Sequence, residues 1–161
     1  MGKLLDLIDY IKKNRDRKIT VVVSGDTGFY SLLPFLKKYF SNDELEVIPG
    51  ISSYQYLFSR IGECWQNFVL ASAHGRDFDY IKAMNEKEGV VLLTDEKNTP
   101  YTIGKKIYDS GIRGVEIIVG ERLSYSDEII TRVDVENFEE LNKEFKMNIV
   151  ILKKGENYAH L

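Results

Sequence analysis

The chain has 161 residues, enough for one or two domains. It carries 22 Lys and Arg against 25 Asp and Glu, a net charge of -3, which argues against a nucleic-acid surface as its main business. Hydrophobic residues make up 43% of the chain, enough to fill a core, yet no apolar run is long enough to span a bilayer. The expected partners are therefore neither nucleic acid nor membrane.

Leu4, Leu5, Leu7, Ile8 and Ile11 recur at helical spacing, so residues 3–13 read as an amphipathic helix. Its interspersed acids and the lack of a small-residue cleavage site exclude a signal peptide. Residues 19–24 (ITVVVS) are nearly all apolar and read as a strand buried on both faces, as in a parallel sheet. Residues 29–40 read as a helix in which Pro34 is tolerable only in the first turn. A short strand over 45–49 ends at Pro49-Gly50, and a helix over 51–62 has Ser52 or Ser53 near its N-cap and Gly62 at its end. The turn at 62–66 carries Cys64 and Trp65 and marks the expected boundary between domains 1–64 and 65–161. A lone cysteine makes no internal disulfide, which together with the missing leader places the chain in the cytoplasm.

The second half alternates in the same way. Strands are expected at 67–73 and 89–95, and helices at 78–87 and 99–111, the latter with Pro100 in its first turn. A strand follows at 115–123, then a mixed strand and helix over 124–142, and a last strand at 145–155. Alternating strands and helices define an α/β chain. Metal is not expected: His74 and His160 lie far apart, and Cys64 has no partner at ligand spacing.

In α/β sheets ligands gather beyond the C-terminal ends of strands. Five polar or glycine-bearing loops occupy such positions: SGDTGFY, PGISS, HGRD, TDEKNTP and GERLSYSDE. In the first, Gly25 and Gly28 allow close backbone approach, while the plain alternative is a tight turn with Asp26 capping the next helix. It is neither the lysine-bearing phosphate loop nor Gly-x-Gly-x-x-Gly. PGISS reads comfortably as a turn and a cap, and without a Gly-x-Ser-x-Gly elbow a serine hydrolase is improbable. HGRD reads equally as a solvated turn or as a carboxylate grip by Arg76 beside His74. Asp95 and Thr99 are natural caps, and Glu121 and Arg122 can pair with each other.

Taken in order, VSGDTGFY, VIPGISSYQ, WQNFVLASAHGR, VVLLTDEKNTP and VGERLSYSDEII resemble the tetrapyrrole (corrin/porphyrin) methyltransferase family. The segments Ser72 to Arg76, Leu93-Thr94-Asp95 and Val119 to Leu123 are most similar to its cobalt-precorrin-7 carbon-5 methyltransferase branch. The resemblance runs from about residue 19 to 152. It implies two α/β domains, the first with a parallel sheet and the second with a mixed sheet and helices, holding S-adenosylmethionine in a cleft. It implies an enzyme that methylates a precorrin ring carbon in cobalamin biosynthesis, works as a homodimer, and leaves decarboxylating methylation to a separate subunit. It also implies that Ser24, Gly25, Asp26 and Phe29 border the cofactor from the first domain, with Ser52 and Ser53 close by. Thr94, Leu123 and Met147 would line it from the second, while His74 and Arg76 would face the carboxylates of the macrocycle. No catalytic residue and no metal ligand is assigned by it.

Two departures stand out. Thr27 occupies a position where the family reads proline, and the chain contains no Gly-Pro-Gly, the loop that closes the family's first strand. The expectation is an N-terminally shortened member whose first domain lacks a strand and exposes a sheet edge prone to association. Two other readings share the same residues: a related methylase with another tetrapyrrole substrate, and a non-catalytic binding or assembly module of the same fold.

Overall fold

The computed structural model describes residues 2–75 and 78–155, and the chain divides into two compact units, Met1–Ser52 and Ser53–Leu161. The expected boundary at 64/65 lies one helix beyond this division.

In the first unit, α1 (Gly2–Lys13) forms where the sequence predicts it. Ile8 of α1 is buried with Leu36 and Phe40, and Ile11, Leu32, Phe35 and Leu45 pack around that small core. The helix expected over 29–40 shrinks to α2 (Leu33–Leu36), followed by turns, with Pro34 at its start. Two local constraints delay it. Asp26 holds the N–H groups of Gly28 and Phe29 in a turn, and Tyr30 takes a left-handed φ of 49°. A 3-10 turn (Asn42–Glu44) begins behind Ser41, whose N–H donates to the Glu44 carboxylate at 3.0 Å.

The parallel sheet expected in this unit is not formed: among the described residues of this unit there is no strand, neither at 19–24 nor at 45–49. The reading of 19–24 as buried on both faces is likewise overturned, since Val22 is 86% exposed and none of the six residues is buried. β-branched residues favour an extended backbone, but a strand also needs a hydrogen-bonding neighbour, which composition cannot supply.

The second unit is built on one mixed sheet, as expected. Its strands are β1 (Phe68–Ser72), β2 (Gly89–Leu93), β3 (Val115–Glu121), β4 (Ile129–Asp134) and β5 (Asn148–Lys154). They lie in the order β1-β2-β5-β3-β4. β1 and β2 are parallel, joined through α4 (Tyr80–Glu86), and every other pairing is antiparallel. β5 thus enters between β2 and β3.

Both faces of the central strands are covered, which explains their unbroken apolar runs. On one face Val90, Leu92, Ile117, Val119, Val150 and Leu152 join the core with Ala83 and Met84 of α4 and with Ile103 and Ile107 of α5 (Pro100–Asp109). The 3-10 segment Val135–Leu141 completes this layer, with Phe138 against the rings of Tyr101 and Tyr108. On the other pleat face Gly120 admits Leu57 of α3 (Ser53–Ile61), and Phe58 of α3 meets Phe68 edge-to-face at 4.9 Å. Glu128 anchors the same helix, accepting from Arg60 Nε at 2.8 Å and from the Tyr56 hydroxyl.

Gly89 sits where β2 passes both neighbours. A Cβ there would collide with the Leu152 carbonyl and the Phe68 ring. Gly89→Ala is therefore expected to destabilise the protein by roughly 1–3 kcal/mol, the usual range for overpacking, read from urea unfolding. Thr99, whose Oγ1 accepts the Thr102 N–H at 3.2 Å, caps α5, and Thr99→Ala is expected to cost about 1 kcal/mol in the same measurement.

Candidate functional site

In the first unit the SGDTG loop is folded on its own aspartate. Asp26 Oδ1 accepts from the N–H of Gly28 at 2.8 Å and of Phe29 at 3.1 Å. Its Oδ2 accepts from the Gly50 N–H at 3.4 Å, which ties the loop to the Pro49-Gly50 turn. The approach is so close that a Cβ on Gly50 would strike the Gly25 carbonyl, and Gly25 itself has a φ of 71°. Asp26 is thus the fastener of this loop, a tight turn, but it caps no helix, since α2 begins only at Leu33; Oδ2 keeps acceptor capacity beyond its one long bond. Ser52, at the end of the Gly50 segment, is buried, and α3 opens at Ser53.

In the second unit the sheet register gathers the other candidates at one end. The C-terminal ends of β1, β2 and β3 and the start of β5 are level there: Ser72 pairs with Leu93, Leu93 with Ile149, and Glu121 with Asn148. Thr94 follows β2, Leu123 follows β3, Met147 precedes β5, and His74 lies just past β1. The sheet register thus brings these four residues, named separately from the sequence, onto one rim. Arg76 and His160 lie outside the described residues.

Each rim loop is fixed by a polar group. Thr94 Oγ1 lies 3.0 Å from the Asn148 carbonyl and 2.9 Å from Asn148 Oδ1, donating its hydroxyl proton across to β5. After β2, Asp95 accepts from the N–H of Gly75 (2.8 Å), Lys97 (2.9 Å) and Asn98 (2.7 Å) and from the Asn98 side chain (3.1 Å). Asn98 Nδ2 also reaches the Ala73 carbonyl at 2.9 Å. These donors, the Gly75 N–H foremost and the Asn98 N–H next, hold the Asp95 carboxyl down to about 2 from its ordinary 3.8. After β3, Arg122 and Ser124 adopt left-handed φ values of 50° and 67°, conformations that cost about 1–3 kcal/mol apiece. Their loop is held by the Arg122 N–H on the Met147 carbonyl (2.9 Å), the Arg122 guanidinium on Asp127 (3.0 Å) and the Ser124 N–H on Glu128 (2.7 Å). Leu123 stands between the two strained residues, and Met147 is 59% exposed on the adjoining turn.

The sequence reading missed Asn98 and Asn148. Asn148 carries a faint signal, a polar residue opening an otherwise apolar run, but nothing in its neighbourhood names Thr94 as its partner. Among the described residues no cluster of His, Cys, Asp and Glu is placed to hold a metal ion. No described helix is long and apolar enough to cross a membrane.

Residues 4–139 match the family model described as tetrapyrrole (corrin/porphyrin) methylases. The chain is 30% identical over 146 residues to the cobalt-precorrin-7 C(5)-methyltransferase of Salmonella typhimurium, covering 91% of this chain and 71% of that one. Among solved structures it is similar to the cobalamin biosynthesis precorrin-6Y methylase from Archaeoglobus fulgidus. That match has a TM-score of 0.69 at 19% identity, over 92% of this chain and 70% of the other. It is also similar to the uroporphyrin-III C-methyl transferase from Thermus thermophilus complexed with S-adenyl homocysteine. There the TM-score is 0.70 at 19% identity, over 94% of this chain and 72% of the other.

The Asp95 network has a pH signature. A carboxyl held low in the folded chain stabilises it above the unfolded value and loses that contribution as pH falls through the folded one. The stability gap between the parent and Asp95→Asn is therefore expected to be full at pH 5 and to close as pH falls from about 4 to about 2. Urea unfolding of both proteins across that range measures it. A gap independent of pH would show that the charge of Asp95 contributes nothing.

Proposed function

The chain belongs to the tetrapyrrole (corrin/porphyrin) methylase family, and we propose that it transfers the methyl group of S-adenosylmethionine to a ring carbon of a cobalt-precorrin in cobalamin biosynthesis. The observation that carries this reading is the alignment with the Salmonella cobalt-precorrin-7 C(5)-methyltransferase over 91% of the chain. The acceptor class is taken from that relative, and S-adenosylmethionine is the donor that the bound S-adenyl homocysteine of the Thermus neighbour supports.

The residues fit such a ligand. Within the first unit Gly25 and Gly50 pack backbone on backbone and leave no side chain in the way, and within the second Leu123 and exposed Met147 offer apolar surface of the kind an adenine or thioether contacts. S-adenosylmethionine, when bound, supplies a methyl group activated on a sulfonium. Displacement at that carbon needs no protein nucleophile, so the protein contributes chiefly by orienting donor and acceptor. In this reading Ser24, Gly25, Asp26, Phe29, Ser52 and Ser53, together with Thr94, Leu123 and Met147, serve the donor. Asp26 sets the shape of its loop, and Asn148 fixes Thr94. His74 and Arg76 serve the macrocycle, whose carboxylates suit a guanidinium.

The homodimer belongs to the same proposal and is supported by the apolar side chains of Val22, Ile48 and Ile51 that the first unit exposes. A separate polypeptide would carry out the decarboxylating methylation. An exposed thiol at Cys64 supports a reducing, cytoplasmic setting.

Calorimetric titration with S-adenosylhomocysteine tests the donor site. The parent is expected to bind one equivalent saturably, and Asp26→Ala to bind about tenfold more weakly or less, a loss of roughly 1.4 kcal/mol. A folded parent that takes up no S-adenosylhomocysteine would contradict the reading.

A further inference from the structure

We propose that His74 is the base that removes the proton from the ring carbon as it is methylated, with Nε2 as the accepting atom. This rests on the methyl-transfer reading above. Transfer to a ring carbon that bears hydrogen leaves a proton to be disposed of, and none of the roles assigned so far disposes of it.

The hydrogen bonding of the ring decides which nitrogen is available. His74 Nδ1 lies 3.2 Å from the Thr94 carbonyl oxygen. A carbonyl only accepts, so Nδ1 carries the hydrogen and donates it. In the neutral imidazole the lone pair then sits on Nε2. His74 is exposed, and the described residues place no partner on Nε2.

The backbone around the ring is held on both sides. Before it, the Ala73 N–H donates to the Leu93 carbonyl at 2.9 Å, and the Ala73 carbonyl accepts from Asn98 Nδ2 at 2.9 Å. The His74 N–H donates to Ser72 Oγ at 3.2 Å, and the Gly75 N–H to Asp95 at 2.8 Å. A surface histidine that only decorates a turn does not require this. One nitrogen fastened to a carbonyl, the other without a partner among the described residues, and a backbone pinned to the neighbouring loop are what a positioned base requires. The ring also stands on the rim with Thr94, the end of an α/β sheet where ligands gather.

The step balances as follows. The ring carbon donates a π pair to the methyl carbon while the S–CH3 pair returns to sulfur, which becomes a neutral thioether. The methylated carbon then gives up its hydrogen as a proton to Nε2, and the C–H pair re-enters the conjugated macrocycle. The imidazolium keeps its Nδ1–H on Thr94 and passes the Nε2 proton to water.

Asn and Ala variants separate the chemistry from the scaffold. In His74→Asn the amide nitrogen stands near the place of Nδ1 and can still donate to Thr94, but no lone pair replaces Nε2. With S-adenosylmethionine and cobalt-precorrin-7 as substrates, His74→Asn is expected to keep its Tm and its S-adenosylhomocysteine affinity while kcat falls about 10²–10⁴-fold. Added imidazole is expected to restore part of the turnover of His74→Ala. Turnover of His74→Asn within about twofold of the parent, or a slow His74→Ala that imidazole does not rescue, would overturn the role of His74 and leave the methyl-transfer reading standing. A parent that transfers no methyl group to the ring would overturn both.

Discussion

β5 hydrogen-bonds β2 along one edge and β3 along the other, and the second unit depends on that insertion. Without it the parallel pair β1–β2 and the hairpin β3–β4 would be two small sheets, each with an open edge. With it, three chain segments distant in sequence end level on one rim. The residues just before and at the start of β5 then complete the loops around them: the Met147 carbonyl receives Arg122, Asn148 receives Thr94, and the Lys146 N–H reaches Glu121 at 2.7 Å. Packing and site geometry therefore share one cause. The apolar run of 149–152, buried on both faces, sets the register that brings the polar groups together.

The rim loops of the second unit, and separately the SGDTG loop of the first, are held mainly by side chains bonded to backbone rather than by side-chain pairs. Asp95, Glu128 and Asp26 each accept from N–H groups of their own loop and of a neighbouring segment or helix. Carboxylates used in this way keep a loop in one shape without closing it over, and Met147 and His74 stay exposed beside half-buried Leu123. Methyl transfer asks for such an arrangement, because the barrier falls chiefly through orientation of two bound partners. In the same reading a single fixed imidazole suffices for the proton, and its tautomer is set by a backbone carbonyl rather than by a carboxylate partner.

Much of the second unit was legible in the sequence. The runs FVLAS, GVVLL, VEIIVGE and NIVILKK are too apolar for half-exposed strands, and all four proved to be strands with most of their residues buried. Thr99-Pro100 marked the start of α5 because a cap followed by proline fits only there. The first unit was less legible for the same physical reason. The run ITVVVS has the residues of a buried strand, but pairing depends on a neighbour that local pattern does not encode. The helix expected over 29–40 is shortened for a different reason: Asp26 takes the N–H groups of Gly28 and Phe29, and Tyr30 goes left-handed, so helix begins only at Leu33. Of the rim, Thr94, Leu123 and His74 stand in or beside loops that the strand pattern picks out, while Met147 was named only through the family resemblance. Asn98 and Asn148 were not legible, because their partners, the Ala73 carbonyl and Thr94, come from segments that meet only once the sheet has formed.

The central claim is that the rim at the C-terminal ends of β1, β2 and β3 is where the methyl donor's product binds. The most direct test is the change in backbone amide chemical shifts when S-adenosylhomocysteine is added to isotopically labelled protein. The account predicts shifts concentrated at Thr94, Asp95, Leu123 and Met147, with the opposite end of the same sheet, at Glu88 and Lys154, unmoved. Shifts concentrated at Glu88 and Lys154, or none at the rim at saturation, would contradict it.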